Sequence, residues 1–205
     1  MPLVLAKRKT APAPALPLVG ASGRNAGTIR RGAMQDNTTE DPDLREAFLE
    51  GMSRSAASVS VVTTDGPAGR GGVTVSAMTS ISAEGVRPTM LTCLNASSSA
   101  LPLVLENKCF CINVLRTGQT EIADVFSSRL PAPGGDKFNA VKTQTMATGA
   151  PRLTDALVSF DCRLISAERI GTHHICIGEV AAVITEHEGE PLLYGLRKYL
   201  RPEAH

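Results

Sequence analysis

Residues 157–187 read LVSFDCRLISAERIGTHHICIGEVAAVITEH, two long segments at 157–170 and 174–187 joined by Gly171-Thr172. Both segments alternate apolar or β-branched residues with polar ones, the period of a half-buried strand, and a glycine turn between two such runs predicts an antiparallel hairpin. Working outward, the runs 58–64, 73–82, 89–94 and 109–115 read as further strands, and 191–200 as a last short one. Helical signals are few. Asp41-Pro42 is a helix start, with a capping acid ahead of proline at the first helical position, and Leu44, Ala47, Phe48 and Met52 follow at helical spacing. Ser98 or Ser99 can cap a short helix through Leu105, and 118–127 reads as a helix with Ile122, Val125 and Phe126 inward. Residues 128–156 are loop-rich, with Pro131, Pro133, Gly134-Gly135, Gly149 and Pro151, and a connection this long is expected to serve a function. Many strands in meander order with few helices predict a mainly β protein closed as a barrel, not a βαβ sheet.

The net charge of +1 hides an asymmetry. Residues 1–35 hold six basic and no acidic residues, which leaves 15 basic against 20 acidic residues in the remainder, a balance of −5. Residues 1–33 are rich in Pro, Ala and Gly and lack any helical or strand period, so they are not expected to fold. The chain therefore divides into a basic tail, 1–40, and a domain, 41–205. Two other readings of the tail stay open. It can be an organelle transit peptide, although it has no amphipathic pattern, or sequence upstream of a start at Met34.

Composition excludes several functions. A mildly acidic domain with no Trp and two Tyr offers neither a cationic track nor stacking platforms for nucleic acid. No apolar stretch approaches the ~20 residues that span a bilayer. Five cysteines, an odd number, with no signal peptide ahead of them, read as reduced thiols of a cytoplasmic protein. Cys109 and Cys111 fall on one face of a strand and are expected to be core thiols, since metal ligands are usually spaced two to four residues apart. His173 and His174 point to opposite faces and cannot easily share an ion with His187, so no metal site is expected. Gly66, Gly69, Gly71 and Gly72 lie between two predicted strands and open no helix, which rules out a dinucleotide or phosphate loop.

Several stretches, taken together and in order, carry a resemblance. They are Thr74-Val75-Ser76-Ala77 through Ser80-Ile81-Ser82, Cys93-Leu94-Asn95 followed by Ser97-Ser98-Ser99, residues 110–115, and Gly171-Thr172-His173 with Gly178-Glu179-Val180. Asp136-Lys137-Phe138 and Pro191-Leu192-Leu193-Tyr194 also fit. Over residues 44–199 the pattern resembles the short-chain flavin reductases, the reductase components of two-component flavin-dependent monooxygenases. The resemblance implies an FMN-binding split β-barrel, usually a homodimer. It would use NADH or NADPH to reduce FMN or FAD and hand the reduced flavin to a partner monooxygenase.

The resemblance also implies a site. Thr74, Val75, Ser76, Ala77 and Ser80 are expected along the ring and ribityl chain, on a strand whose small side chains leave backbone exposed. Asn95, Ser97, Ser98 and Ser99 are expected at the phosphate, because a strand end meeting a helix start offers free N–H groups and hydroxyls. The plainer reading of these serines is a helix cap. Lys137 and Phe138 are expected near the flavin, against a solvated lysine beside a loop-anchoring phenylalanine. His173 is carried over as the catalytic-site residue facing nicotinamide or flavin, against a surface turn histidine. Thr172 stands where the family usually has Asp, and Ala96 where it often has Arg, a change that bears on flavin choice. Gly178 is expected where strands pass closely, and Glu179 in a pair across a seam. Two other readings remain: a split-barrel oxidase that retains its flavin, and a non-enzymatic flavin- or haem-binding module.

Overall fold

Asp41 starts the first helix as its sequence indicates. In the computed structural model its carboxylate accepts hydrogen bonds from the N–H groups of Asp43 (3.1 Å) and Leu44 (3.0 Å), ahead of helix α1, Pro42–Ser53. The structure describes residues 41–186 and 188–203. The predicted tail, 1–40, lies outside them, as do His187 and the last two residues. The apolar stripe of α1 does not turn inward: Leu44, Phe48, Leu49 and Met52 are all exposed.

The predicted 58–64 run forms two strands, β1 (Ala57–Ser58) and β2 (Ser60–Thr64), parted at buried Val59. The run expected as one strand over 73–82 is also two: β3 (Gly71–Val75) and β4 (Met78–Ser82). Next come β5 (Thr89–Asn95), helix α2 (Ala100–Asn107), β6 (Cys109–Val114) and helix α3 (Thr120–Phe126). The 128–156 stretch contains a 3-10 turn, Lys137–Ala140, and a hairpin of β7 (Thr143–Thr145) and β8 (Pro151–Leu153). The long predicted hairpin is present as β9 (Val158–Ile170) and β10 (His173–Thr185). The last predicted strand is instead a hairpin, β11 (Leu193–Gly195) and β12 (Lys198–Leu200), turned by Leu196 and Arg197, both with positive φ.

The main sheet has seven strands in the order β3-β2-β6-β9-β10-β5-β4. Its edge strands β3 and β4 are consecutive in sequence, separated only by Ser76 and Ala77. In a flat sheet those edges would stand about 29 Å apart, at ~4.8 Å per strand. Two residues can span only about 11 Å between flanking Cα atoms. The sheet must therefore roll up, and Ala77 marks the seam: its carbonyl accepts from Cys93 N (3.0 Å) and Thr92 Oγ1 (3.1 Å) on β5. This is the split β-barrel. What looked like one strand in the sequence is broken because its two halves pair with opposite edges.

Val62, Leu94, Phe110, Ile112, Cys162 and Cys176 fill the barrel, with Leu101 and Val104 of α2 packed into the same core. Gly178 faces this interior. A Cβ there would lie 2.5 Å from the Phe110 ring and 2.8 Å from Cys162 Cβ, so only glycine lets the strands close. Glu179, on the other face, pairs with Arg87 at 3.0 Å. A second core on the barrel's flank joins Ala123 and Phe126 of α3 to Val61 and Leu115. The expected pairing of Cys109 and Cys111 on one face is present: both sit in a third cluster with Met146 and Ala150, under the β7–β8 hairpin. All five cysteines are free. Among the described residues no helix is long and apolar enough to cross a membrane.

Candidate flavin site

A groove runs along β3 between the end of α3 and the last hairpin. It has two adjoining compartments that share Ser127. Val73, Asn95, Ser97, Ser98, Ser99 and Lys137 line the first, and Val59, Thr74, Val75, Ser76, Arg129, Tyr194 and Tyr199 the second.

Local chemistry shapes the first compartment. Asn95 ends β5 and folds back on its own chain: Oδ1 accepts from Ser97 N (2.8 Å) and Ser97 Oγ (2.7 Å), an Asx turn. Ser98 Oγ accepts from Ala100 N at 3.2 Å, so Ser98 supplies the side-chain bond at the start of α2. Ser99 holds the cap position without such a bond. Lys137 enters from the 3-10 turn, whose start is fixed by Asp136: Oδ1 accepts from Phe138 N (2.9 Å), while Oδ2 pairs with Arg70 (2.8 Å). Lys137 Nζ donates to the Phe126 carbonyl at 2.9 Å, and burial lowers its pKa. This compartment combines hydroxyls, the start of α2 and one cation, the donor set an anion such as a phosphate needs.

The second compartment is smaller and less polar. Thr74 spends its hydroxyl on the Ala123 carbonyl (2.7 Å), which ties β3 to α3 and leaves small side chains along the wall. Tyr194 and Tyr199 meet edge to face with centroids 5.6 Å apart. Tyr199 donates to Asp124 Oδ1 at 2.7 Å; burial, then this bond, pushes its hydroxyl up to about 12. Arg129 follows Ser128, whose positive φ turns the chain back after α3. Its guanidinium lies 3.6 Å from Asp124 and 5.6 Å from the Tyr194 ring centre. Its small and aromatic side chains suit a planar ring, as the hydroxyls and the lysine of the first compartment suit an anion.

Several expected site residues stand elsewhere. Phe138 is buried beneath the groove, edge-on to Phe126 (5.3 Å) and under the Arg70 guanidinium (4.3 Å). Ala77 lies past the end of the second compartment, in a depression beside Met52 and Gly195. Ser80 lines a separate apolar hollow with Met90 and Phe160. His173 pairs with Asn95 across β10 and β5, so it stands beside the first compartment, exposed, with Nδ1 3.0 Å from Thr172 Oγ1. His174 is half-buried opposite Leu94, its Nδ1 without a partner among the described residues.

Arg129, Tyr194 and Tyr199 did not stand out as a group in the sequence. One signal was available: both tyrosines of the chain fall five residues apart in its closing segment. Among the described residues no three His, Cys, Asp or Glu side chains group to hold a metal ion.

The profile of the flavin reductase like domain matches residues 52–202. An FMN reductase (NADH), RutF, of Stutzerimonas stutzeri is 40% identical over 158 residues, 77% of this chain and 88% of the relative. Among solved structures, the NADH:FAD oxidoreductase SgcE6 of Streptomyces globisporus C-1027 superposes with a TM-score of 0.71 at 25% identity, covering 80% of this chain and 96% of that one. BorF, the flavin reductase component of a bacterial two-component tryptophan halogenase, gives 0.69 at 25% identity, covering 78% and 99%.

Proposed function

Because this chain belongs to the flavin reductase-like family, we propose that its groove binds FMN or FAD as a substrate and that the protein reduces it with NADH or NADPH. The two-compartment groove is the observation that carries this reading. A serine-rich, lysine-bearing half suits a phosphate, and an apolar, tyrosine-walled half beside it suits the ring. The reaction moves a hydride from nicotinamide C4 to flavin N5. The chain need only hold the two rings in contact and keep water out, so no nucleophile or strong base is required. Asn95, Ser97, Ser99 and Lys137 bind the phosphate, Thr74, Val75 and Ser76 form the wall for the ring, and His173, beside Asn95, is the candidate for orienting the nicotinamide.

The groove's cations are few and partly solvated, which favours a flavin that leaves after reduction. A partner monooxygenase or halogenase is the natural acceptor of that product, as in the two-component system to which BorF belongs. The outward stripe of Leu44, Phe48 and Met52 on α1 supports a homodimer, because an exposed apolar face of this kind is usually covered by a second subunit. Reduced cysteines support a cytoplasmic location, and Asp41 is the proposed start of the functional domain. The test is steady-state oxidation of NADH and of NADPH with FMN, FAD and riboflavin in turn. Flavin-dependent oxidation is the expected result; none with any flavin refutes the proposal.

A further inference from the structure

The ring compartment of the groove has one cation among the described residues lining it, Arg129. Its surroundings leave it available. The 3.6 Å approach to Asp124 Oδ1 is too long for a good hydrogen bond, and that same oxygen already accepts from Tyr199 at 2.7 Å. The guanidinium has five N–H donors, and more than half of the Arg129 side chain's surface is open to solvent. Its backbone is nonetheless held. The N–H groups of Arg129 and Leu130 both donate to the Asp124 carbonyl (2.8 and 3.1 Å), and the guanidinium carbon stands 5.6 Å from the Tyr194 ring centre. Lys137, the other groove cation, belongs to the serine-rich compartment.

The reaction proposed above changes the charge of the ring. A hydride brings two electrons and one proton to N5, so the nicotinamide gains one positive charge and the neutral oxidised isoalloxazine becomes an anion. A cation in the ring compartment meets no charge on the oxidised ring and a full charge on the reduced one. Interactions that strengthen as charge develops lower the barrier, whereas equal binding of both forms does not. We propose that Arg129 discriminates between the redox states of the bound flavin, holding the reduced, anionic ring more tightly than the oxidised one. The inference rests on the groove being the flavin site. Arg129 remains solvated enough that the product is not trapped.

The experiment measures dissociation constants of oxidised and anaerobically reduced FMN, and of riboflavin in both states, for the wild type, Arg129→Gln and Arg129→Lys. Arg129 is exposed, so thermal melts of both variants are expected to match the wild type. For Arg129→Gln, the ratio of reduced to oxidised dissociation constants should rise about tenfold, a fall of about 30 mV in the two-electron midpoint potential of bound flavin. Arg129→Lys should keep most of the wild-type ratio. Riboflavin should show the same change as FMN, since the phosphate is not involved. An unchanged ratio overturns the inference, as does an effect seen with FMN and absent with riboflavin, which would assign Arg129 to phosphate. A wild type that binds neither flavin in either state would instead refute the flavin site itself.

Discussion

Tyr199 donates its hydroxyl hydrogen bond to Asp124 across 2.7 Å, which joins the last strand to helix α3 and closes one end of the groove. A bond to a carboxylate in a half-buried setting is worth on the order of 1–2 kcal/mol. Tyr199→Phe keeps the ring and loses the bond. It is expected to lower the melting temperature by a few degrees and to weaken flavin binding modestly, with the apolar wall intact. Differential scanning calorimetry and a flavin titration of the same variant check both effects. An unchanged melting temperature would show that the contact does not hold the hairpin.

Alkaline pH should weaken the fold in a defined window. Burial pushes Cys176 from 9.0 up to about 11 and Cys162 up to about 12, and Tyr199 rises from 10.0 to about 12. These folded values lie above the unfolded ones. Their stabilising contribution is therefore whole below about pH 9 and is lost as pH rises through 11 and 12. Urea midpoints should be flat between pH 7 and 9 and fall steadily above. A Cys162→Ala, Cys176→Ala variant should show a shallower fall. Equal slopes for the variant and the wild type would assign the effect to other groups.

Gly178→Ala places a methyl group 2.5 Å from the Phe110 ring. Overpacking of this kind costs about 1–3 kcal/mol, because Phe110 is fully buried and has little room to give. The variant is expected to unfold at a lower denaturant midpoint with an unchanged slope, as measured by circular dichroism. A wild-type midpoint would mean that the barrel relaxes at this crossing.

Ser97→Ala with Ser99→Ala should weaken FMN binding more than riboflavin binding, each lost bond costing about 1 kcal/mol, or more where the acceptor is charged. The comparison isolates the phosphate. Equal losses for the two flavins would leave the serines as helix-start residues alone. The structure already divides their work, since Ser98 supplies the capping bond and Ser99 does not.

His173 and His174 should behave differently. His173 is exposed beside Asn95, while His174 lies on the opposite strand face, half-buried against the barrel. His173→Ala is expected to raise KM for NADH and lower kcat/KM about 5- to 150-fold, the equivalent of ~1–3 kcal/mol of lost orientation, with flavin affinity little changed. His174→Ala should act on stability instead. If His174→Ala is the variant that loses NADH affinity, the nicotinamide lies on the other side of the strand.

The strands were legible where their neighbours in sequence are also their neighbours in the sheet. The 157–187 hairpin carries its period openly and its turn is punctuated by Gly171, and β5 pairs with β4 just ahead of it; β6, whose sheet neighbours are β2 and β9, was legible instead as an apolar run. The break at Ser76-Ala77 could not be read from local pattern, because both halves are good strand sequence. Only the closure of the sheet, a relation between distant edges, forces the chain to change partners there. The β7–β8 hairpin was hidden for a related reason. Its three-residue strands have little period, and it is held by buried polar groups of the barrel wall: Asn113 Oδ1 accepts from Leu153 N and Asp161 Oδ2 from Thr148 N, both at 2.9 Å. The serine-rich half of the groove was legible as a cluster because Asn95, Ser97, Ser98 and Ser99 lie close together in the chain. The other half joins residues from β3, the end of α3 and the last hairpin, so Arg129 and the two tyrosines come together only in the folded chain.

The proposed reaction makes flavin a diffusing substrate of this protein. It is tested most directly by following NADH or NADPH oxidation at catalytic enzyme concentration while flavin is raised from zero. The expected rate vanishes without added flavin, saturates with FMN or FAD over many turnovers, and comes from protein that leaves gel filtration colourless. Nicotinamide oxidation that is independent of added flavin, by protein that stays yellow through the column, would contradict it.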